Sequence, residues 1–441
     1  MISVLLGRLS AVHDNHKRIA SGALLIGALT FAAKLFVAAR ELAIASRYGI
    51  SQTVDAYQLA VTISTWLPTL LTSAMTVVLV PRLVRLRTVG SGRQFIDELN
   101  GTMLILGLGV AALVWMAAPA ISGVLASTAT SATLRLTRSM AERMAPTAFL
   151  TLMSGYFIAR LQSRERFSYS VTEALPALTI ALMILLPLGL PGVVPLVAGT
   201  LLGYLLQLIA LVLLIRRGDP PIGSVRIRHR SRDWQFVYGA LSLMVLGQLA
   251  MSLAAPIDQG FASRVGPGAV ATIGYCNRII ALFTGAGAVV LARALLPVLS
   301  AAAAAEDHAL GSRQARQWAW LLFAFGSVVA LVGWVLAEDA VALVFQRGAF
   351  GPADTAAVAY VLRPALLQLP FYFGGLALVQ WIAARSRYRL LLWVAFFGLI
   401  IKVTMNLVLI HFLGLAGIML STAIMYGFSF AWQYLYVRAK L

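Results

Sequence analysis

Apolar stretches of about twenty residues recur along the whole chain, each long enough to cross ~30 Å of hydrocarbon as a helix. Twelve are counted, over roughly 20–46, 56–80, 101–124, 144–161, 170–191, 193–215, 236–258, 269–298, 317–337, 356–383, 390–411 and 415–436. Little of the 441 residues is left for a soluble domain. Hydrophobic residues make up 60% of the chain and charged residues 12%, and the mean hydropathy is +0.86. No soluble globular chain has that composition. The expectation is an all-α polytopic membrane protein with about twelve transmembrane helices in two pseudo-symmetric six-helix lobes around a central cavity.

The net charge of +19 could suggest nucleic acid, but its placement argues against that partner. With Met1 in the cytoplasm, alternate loops and the termini hold 23 Lys/Arg, the opposite loops hold six, and six lie inside the apolar spans. That bias is the positive-inside pattern, with both termini cytoplasmic in a multi-pass inner membrane protein. Attraction to anionic lipid accounts for much of the rest. Residues 1–18 read as an amphipathic, basic lead-in, and the first apolar span is too long for a cleavable signal peptide. The single Cys276 cannot form an internal disulfide, and the five His make no metal spacing, so neither a metal nor a cofactor is expected.

The longest polar stretch, 217–234, contains Pro220-Pro221 and a basic cluster. It divides the chain into an N-lobe over 19–216 and a C-lobe over 235–441, joined by a cytoplasmic linker. The halves repeat one another. Ala45-Ser46-Arg47-Tyr48-Gly49 matches Ala262-Ser263-Arg264-Val265-Gly266, and Val80-Pro81-Arg82-Leu83 matches Leu296-Pro297-Val298-Leu299. Pro146 precedes Ser163-Arg164-Glu165-Arg166 much as Pro370 precedes Ser386-Arg387-Tyr388-Arg389. Six spans per half give both lobes one orientation. A parallel repeat of that kind puts a substrate cavity between lobes.

Six cations lie inside spans: Lys34, Arg40, Arg278, Arg293, Arg363 and Lys402. Each costs several kcal/mol at membrane depth unless it faces a wet cavity or a partner. Lys34 and Glu41, seven apart, share a helix face, while Arg40 lies about 120° from Lys34. Arg40 could line a cavity or pair with Glu41 and snorkel outward. Arg278 has no acidic neighbour within a helical turn, and Asp258 is one candidate partner. Asp55 and Asp258 could be interfacial caps or members of a gate. Lys402 and Asn406 form an i,i+4 polar pair that could knit helices together. Arg293 is expected to snorkel. No G-x-x-x-x-G-K-[ST] motif and no Ser/His/Asp constellation is present, so the reading is a transporter of an anionic molecule rather than an enzyme. Energy would come from gradients or from the membrane potential.

At these residues the chain resembles the MurJ/MviN lipid II flippases of the multidrug/oligosaccharidyl-lipid/polysaccharide exporter superfamily. Ala39-Arg40-Glu41 and Val54-Asp55-Ala56-Tyr57 resemble the family's "ARD" and "TDAF". Tyr275-Cys276-Asn277-Arg278 with Leu295-Leu296-Pro297-Val298-Leu299-Ser300 resembles "ADR…LLPSLS". Phe345-Gln346-Arg347-Gly348-Ala349-Phe350 resembles "F-x-R-G-A-F", and Asn406, Gly414 and Gly417 fit a late "N…G…G" pattern. The resemblance implies a flippase moving an undecaprenyl-diphosphate-linked saccharide from the inner to the outer leaflet by alternating access, as a monomer, in contact with membrane lipids and with glycan synthesis enzymes. It makes Lys34, Arg40 and Arg278 the diphosphate-binding residues and matches Glu41 and Asp55 to family acids; with Asp258, read from the residues alone, these are the gate or ion-pair candidates. Two departures bear on the substrate. Ser64-Thr65-Trp66-Leu67-Pro68-Thr69 has no cation where the family carries an Arg pair, and Ala281 replaces an acid. The family also has fourteen spans against twelve here, the last two helping to hold the lipid tail. Lipid II and an exopolysaccharide or O-antigen-type precursor are therefore both open as cargo. An ion-coupled drug exporter and a non-transporting scaffold are the remaining alternatives.

Overall fold

The computed structural model describes residues 33–439 apart from 90–92, 126–128, 165, 167, 188, 217–223, 228, 232, 286–307 and 386. Residues 1–18, Arg293 and the 295–300 motif lie outside the described residues. Those described form helices and connecting turns, with no strand among them.

In chain order the helices are α1 (33–48), α2 (Gln52–Val89), α3 (Arg93–Leu125), α4 (Ser131–Met144), α5 (Pro146–Gln162), α6 (Tyr169–Thr172) and α7 (Leu175–Leu185). They continue with α8 (Val194–Arg216), α9 (Asp233–Ser252), α10 (Ala254–Ala262), α11 (Ala269–Gly285) and α12 (His308–Val335). The last are α13 (Ala337–Phe345), α14 (Pro352–Leu366), α15 (Gln368–Ala384), α16 (Tyr388–Leu413) and α17 (Leu415–Ala439). Among the described residues, seven stretches are long and apolar enough to cross a membrane unbroken, one of them running through α14 and α15. Two other expected spans, 170–191 and 236–258, are split in two, and a proline stands just after each break.

A proline at position i cannot donate to the carbonyl of i−4, and its ring crowds that carbonyl. Pro176, Pro256 and Pro370 put that defect at Thr172, Ser252 and Leu366, which are the last residues of α6, α9 and α14. In lipid an orphaned carbonyl must find another donor. The Trp66 indole N–H supplies one, donating to the Ser252 carbonyl at 3.1 Å.

The chain falls into two compact units. The first comprises Met1–Ile44, Leu67–Leu113 and Met144–Leu241; the second comprises Ala45–Trp66, Val114–Arg143 and Ser242–Leu441. Within the first, α7 packs against α8, and α5 and α6 join it. The segment 224–234 is fastened to the start of α3. Arg226 N–H donates to the Asp97 carbonyl at 3.0 Å. The Glu98 carboxylate accepts from Arg230 N–H, Ser231 N–H and Trp234 Nε1–H at 2.8–3.1 Å. Within the second unit, α12 packs on α15, α16 forms a hairpin with α17, and α17 also meets α14 and α15. An aromatic cluster of Trp320, Phe323, Phe371, Phe430 and Tyr434 fills the space between α12, α15 and α17.

The two repeated A-S-R-x-G segments both end at a glycine with positive φ, Gly49 at 54° and Gly266 at 152°. The first of these turns is clasped by the Phe345–Phe350 motif. Ala349 N–H donates to the Ser46 carbonyl at 2.7 Å, and Tyr275 donates its hydroxyl to the Gly49 carbonyl at 3.1 Å. The Tyr275 ring sits against Phe345 and Phe350, with centroids at 5.0 and 5.2 Å. Gly348 has φ 61°, and a Cβ there would lie 2.2 Å from the Ser46 carbonyl oxygen. Gly348→Ala is therefore expected to cost about 1–3 kcal/mol and lower the thermal midpoint in detergent. Gly109→Ala, where a Cβ meets nothing within 4 Å, is expected to be neutral or stabilising.

Candidate functional site

In the first unit the candidate side chains lie on α1. The charged residues of this helix are Lys34, Arg40, Glu41 and Arg47. Lys34 is exposed, and its charge acts on the Glu173 carboxylate. Arg40 is half-buried and Glu41 is 4% exposed. The Arg40 Nε–H donates to Glu41 Oε1 at 3.0 Å, and Nη2 donates to the same oxygen. The guanidinium thus has an internal carboxylate partner. Arginine has five N–H donors in a fixed fork, so one accepting oxygen does not exhaust what it can offer an anion.

In the second unit Arg278 lies on α11, half-buried, with its guanidinium 5.4 Å from the centroid of the Tyr275 ring one turn earlier. An aromatic face stabilises a cation without neutralising it. Tyr275 is itself held by the Gly49 carbonyl, so Arg278 stands on a fixed platform.

Asp55, on α2, is 2% exposed, and its carboxylate accepts backbone N–H groups of Gly268 and Ala271, the latter at 2.7 Å. Those donors lie at the start of α11, where a helix leaves N–H groups unsatisfied and carries positive partial charge. Asp55 is thus the cap of a helix distant in sequence. The start of its own helix is served by Ser51, whose hydroxyl accepts from Val54 N–H at 3.4 Å.

Asp258, on α10, faces Lys402 rather than Arg278. Lys402 Nζ is 2.9 Å from Asp258 Oδ1, and Asn406 donates to that oxygen at 3.2 Å. Ser421 and Thr422 of α17 complete the group: Ser421 donates to Asn406 Oδ1, and Lys402 donates to Thr422 Oγ1. Arg363 donates to Glu338 of α13 at 3.1 Å, an exposed pair. Arg160, near the end of α5, is buried, with Nη1 3.3 Å from Asn100 Oδ1 and its guanidinium beside the Tyr156 ring. No group of three or more metal-ligating side chains occurs among the described residues.

The fold and these charges define a multi-helix membrane transporter of the class shared by lipid flippases and multidrug exporters. A solved structure of the lipid II flippase MurJ in an inward closed conformation superposes with a TM-score of 0.80, covering 94% of this chain and 87% of that one at 18% identity. An inward-facing multidrug resistance MATE family transporter superposes at 0.76, covering 92% and 94% at 17% identity. At such identities these likenesses speak for the fold. The family model described as "Lipid II flippase MurJ" matches residues 44–441, and the chain belongs to that family. It is similar to the probable lipid II flippase MurJ of Synechocystis, at 27% identity over 391 residues, covering 81% of this chain and 69% of that protein. It is also similar to the Helicobacter pylori protein of the same description, at 26% over 201 residues, a stretch spanning 45% of this chain and only 43% of that relative.

The Asp55 cap is testable. Asp55→Ala leaves two N–H groups at the start of α11 without their acceptor and is expected to cost about 2–4 kcal/mol. Asp55→Asn, which keeps one oxygen, is expected to recover roughly half of that in detergent unfolding.

Proposed function

We propose that this chain is a flippase for an undecaprenyl-diphosphate-linked saccharide, with lipid II the first cargo to test, moving it from the inner to the outer leaflet of the cytoplasmic membrane. The observation that carries this reading is the family match over 44–441, which includes the half-buried Arg278, while the half-buried Arg40 lies just before its start. In this reading both termini are cytoplasmic, and lobes 19–216 and 235–441 rock about a central site. Lys34, Arg40 and Arg278 receive the diphosphate, which is the part of the cargo common to every glycan on this carrier. Arginine suits that task, because its planar fork matches phosphate oxygens and stays charged at membrane depth. Glu41 orients Arg40, and Tyr275 supports Arg278. Membrane lipids accommodate the polyprenyl tail, and glycan synthesis enzymes supply the cargo.

Removing one clamp arginine is expected to cost about 1.5–3 kcal/mol of diphosphate binding. In bacteria depleted of their essential lipid II flippase, the wild-type chain is expected to restore growth. Arg40→Ala and Arg278→Ala should insert normally and fail. Normal rescue by both variants refutes the clamp. Failure of the well-inserted wild type points instead to a different lipid-linked glycan, consistent with the cation-free stretch 64–69.

The membrane potential is the energy source in this reading. One elementary charge moved through 100 mV is worth about 2.3 kcal/mol, and an inside-negative potential drives an anionic diphosphate outward. Collapsing the potential in vesicles is expected to stop flipping, whereas nucleotide depletion alone has no direct effect. Undiminished flipping in de-energised vesicles refutes this mechanism.

A further inference from the structure

In the second unit a polar cavity lies against the carboxylate that caps α11. Its walls include Asp55, the hydroxyl-bearing residues Thr130, Thr133 and Ser263, and the Gly266 turn, and its volume is about 40 Å³. That is room for about two or three waters, and the walls offer the polar partners that waters need. The Thr130 and Thr133 hydroxyls lie 2.9 Å apart at the start of α4. The Ser263 hydroxyl donates to the Gly260 carbonyl at 2.9 Å, which leaves its oxygen able to accept.

Asp55 is the charged residue of this lining. At 2% exposure its carboxylate has given up bulk water, and the N–H groups of Gly268 and Ala271 stand in its place. The charged and titratable side chains on the surrounding elements are engaged elsewhere. Arg47 lies over Tyr48, Arg264 lies over Phe261, and Arg138 pairs with Glu142 on α4, where Arg135 is exposed. Tyr275 donates to the Gly49 carbonyl, Asp354 accepts from Gly351 N–H, and Asp258 faces Lys402. On α2 itself Tyr57 is two residues on and so lies on another face.

An ionised Asp55 and a neutral one hold α11 differently. The ion offers an accepting oxygen to each N–H and attracts the positive end of the helix. Protonation turns one oxygen into a hydroxyl that donates, and it removes the attraction. The cavity then supplies an acceptor for that proton, in a threonine or serine oxygen or in water.

We propose that Asp55 is a proton-binding site served by this cavity, and that its protonation loosens the start of α11. Because α11 carries Arg278, proton uptake loosens the helix on which that arginine stands. By linkage, whatever withdraws the Gly268 and Ala271 N–H groups favours proton uptake at Asp55. The inference does not rest on the identity of the transported lipid.

Dicyclohexylcarbodiimide, an apolar reagent for protonated carboxyl groups, reads the proton directly. In the purified full-length protein, mass spectrometry is expected to find Asp55 modified roughly fivefold more at about pH 5.5 than at about pH 8, relative to the exposed Asp339. Cys276, the single cysteine, is 0% exposed on α11 and reports the loosening. Its rate with methyl methanethiosulfonate, divided by the rate of the unfolded chain at the same pH, is expected to rise roughly threefold over the same interval. Asp55→Asn, which cannot ionise, should react at the faster rate at both pH values. Asp55 left unmodified at the acid pH overturns the proton site. A wild-type Cys276 rate that ignores pH, or a pH response that survives in Asp55→Asn, overturns the coupling to α11. If Asp55→Asn does not accumulate, the carbodiimide yield and the wild-type Cys276 rate still test both halves of the proposal.

Discussion

Inside hydrocarbon no water is available to accept or donate a hydrogen bond, so every backbone polar group must be satisfied within the chain. That constraint makes the protein helical, and three of its helix breaks fall beside prolines. Pro176, Pro256 and Pro370 each remove one donor, and a helix ends at the carbonyl left behind. Trp66 then acts as a substitute donor for Ser252, a contact between residues far apart in sequence. Asp55 performs the complementary task by accepting the free N–H groups at the start of α11. Turns that a soluble protein would hydrate are here closed by side chains from other helices.

The same constraint governs charge. Arg40 leans on Glu41, Arg278 on the face of Tyr275, Arg363 on Glu338 and Lys402 on Asp258. The four partners differ in consequence. Lys402 and Asp258 neutralise one another in a largely buried group, which suits a fixed internal element. Arg278 stands against the aromatic face of Tyr275, which favours a cation without taking its charge as a carboxylate would. Half-buried Arg40 stands between these cases, because Glu41 orients it while occupying one side of its fork.

Charge complementarity also fastens the basic segment that leads into α9. The acidic pair Asp97-Glu98 at the start of α3 accepts backbone and indole N–H groups of the basic segment 224–234, and Arg82 pairs with Asp233. The sequence showed a run of positive charge there and a linker. It did not show that the Glu98 carboxylate and the main-chain carbonyl of Asp97, more than a hundred residues earlier, hold the segment by its main chain. Backbone donors leave no trace in side-chain composition.

Composition, hydropathy and the placement of Lys and Arg determined by themselves that this is a polytopic helical membrane protein, because transfer into lipid depends on residue type and not on partner. Short ordered motifs such as Ala39-Arg40-Glu41 and Phe345–Phe350 carried the family. The i,i+4 spacing of Lys402 and Asn406 was legible because it lies within one helix. What only the tertiary structure decided is which group each charge meets. Asp258 faces Lys402 and not Arg278, Asp55 caps α11 and not α2, and Arg160 is buried beside Asn100 and Tyr156 although it sits at the edge of a basic loop. These pairings depend on which helices pack together and on how far each is rotated about its axis. In an apolar helix whose faces are nearly alike in hydrophobicity, the sequence carries almost no record of that rotation.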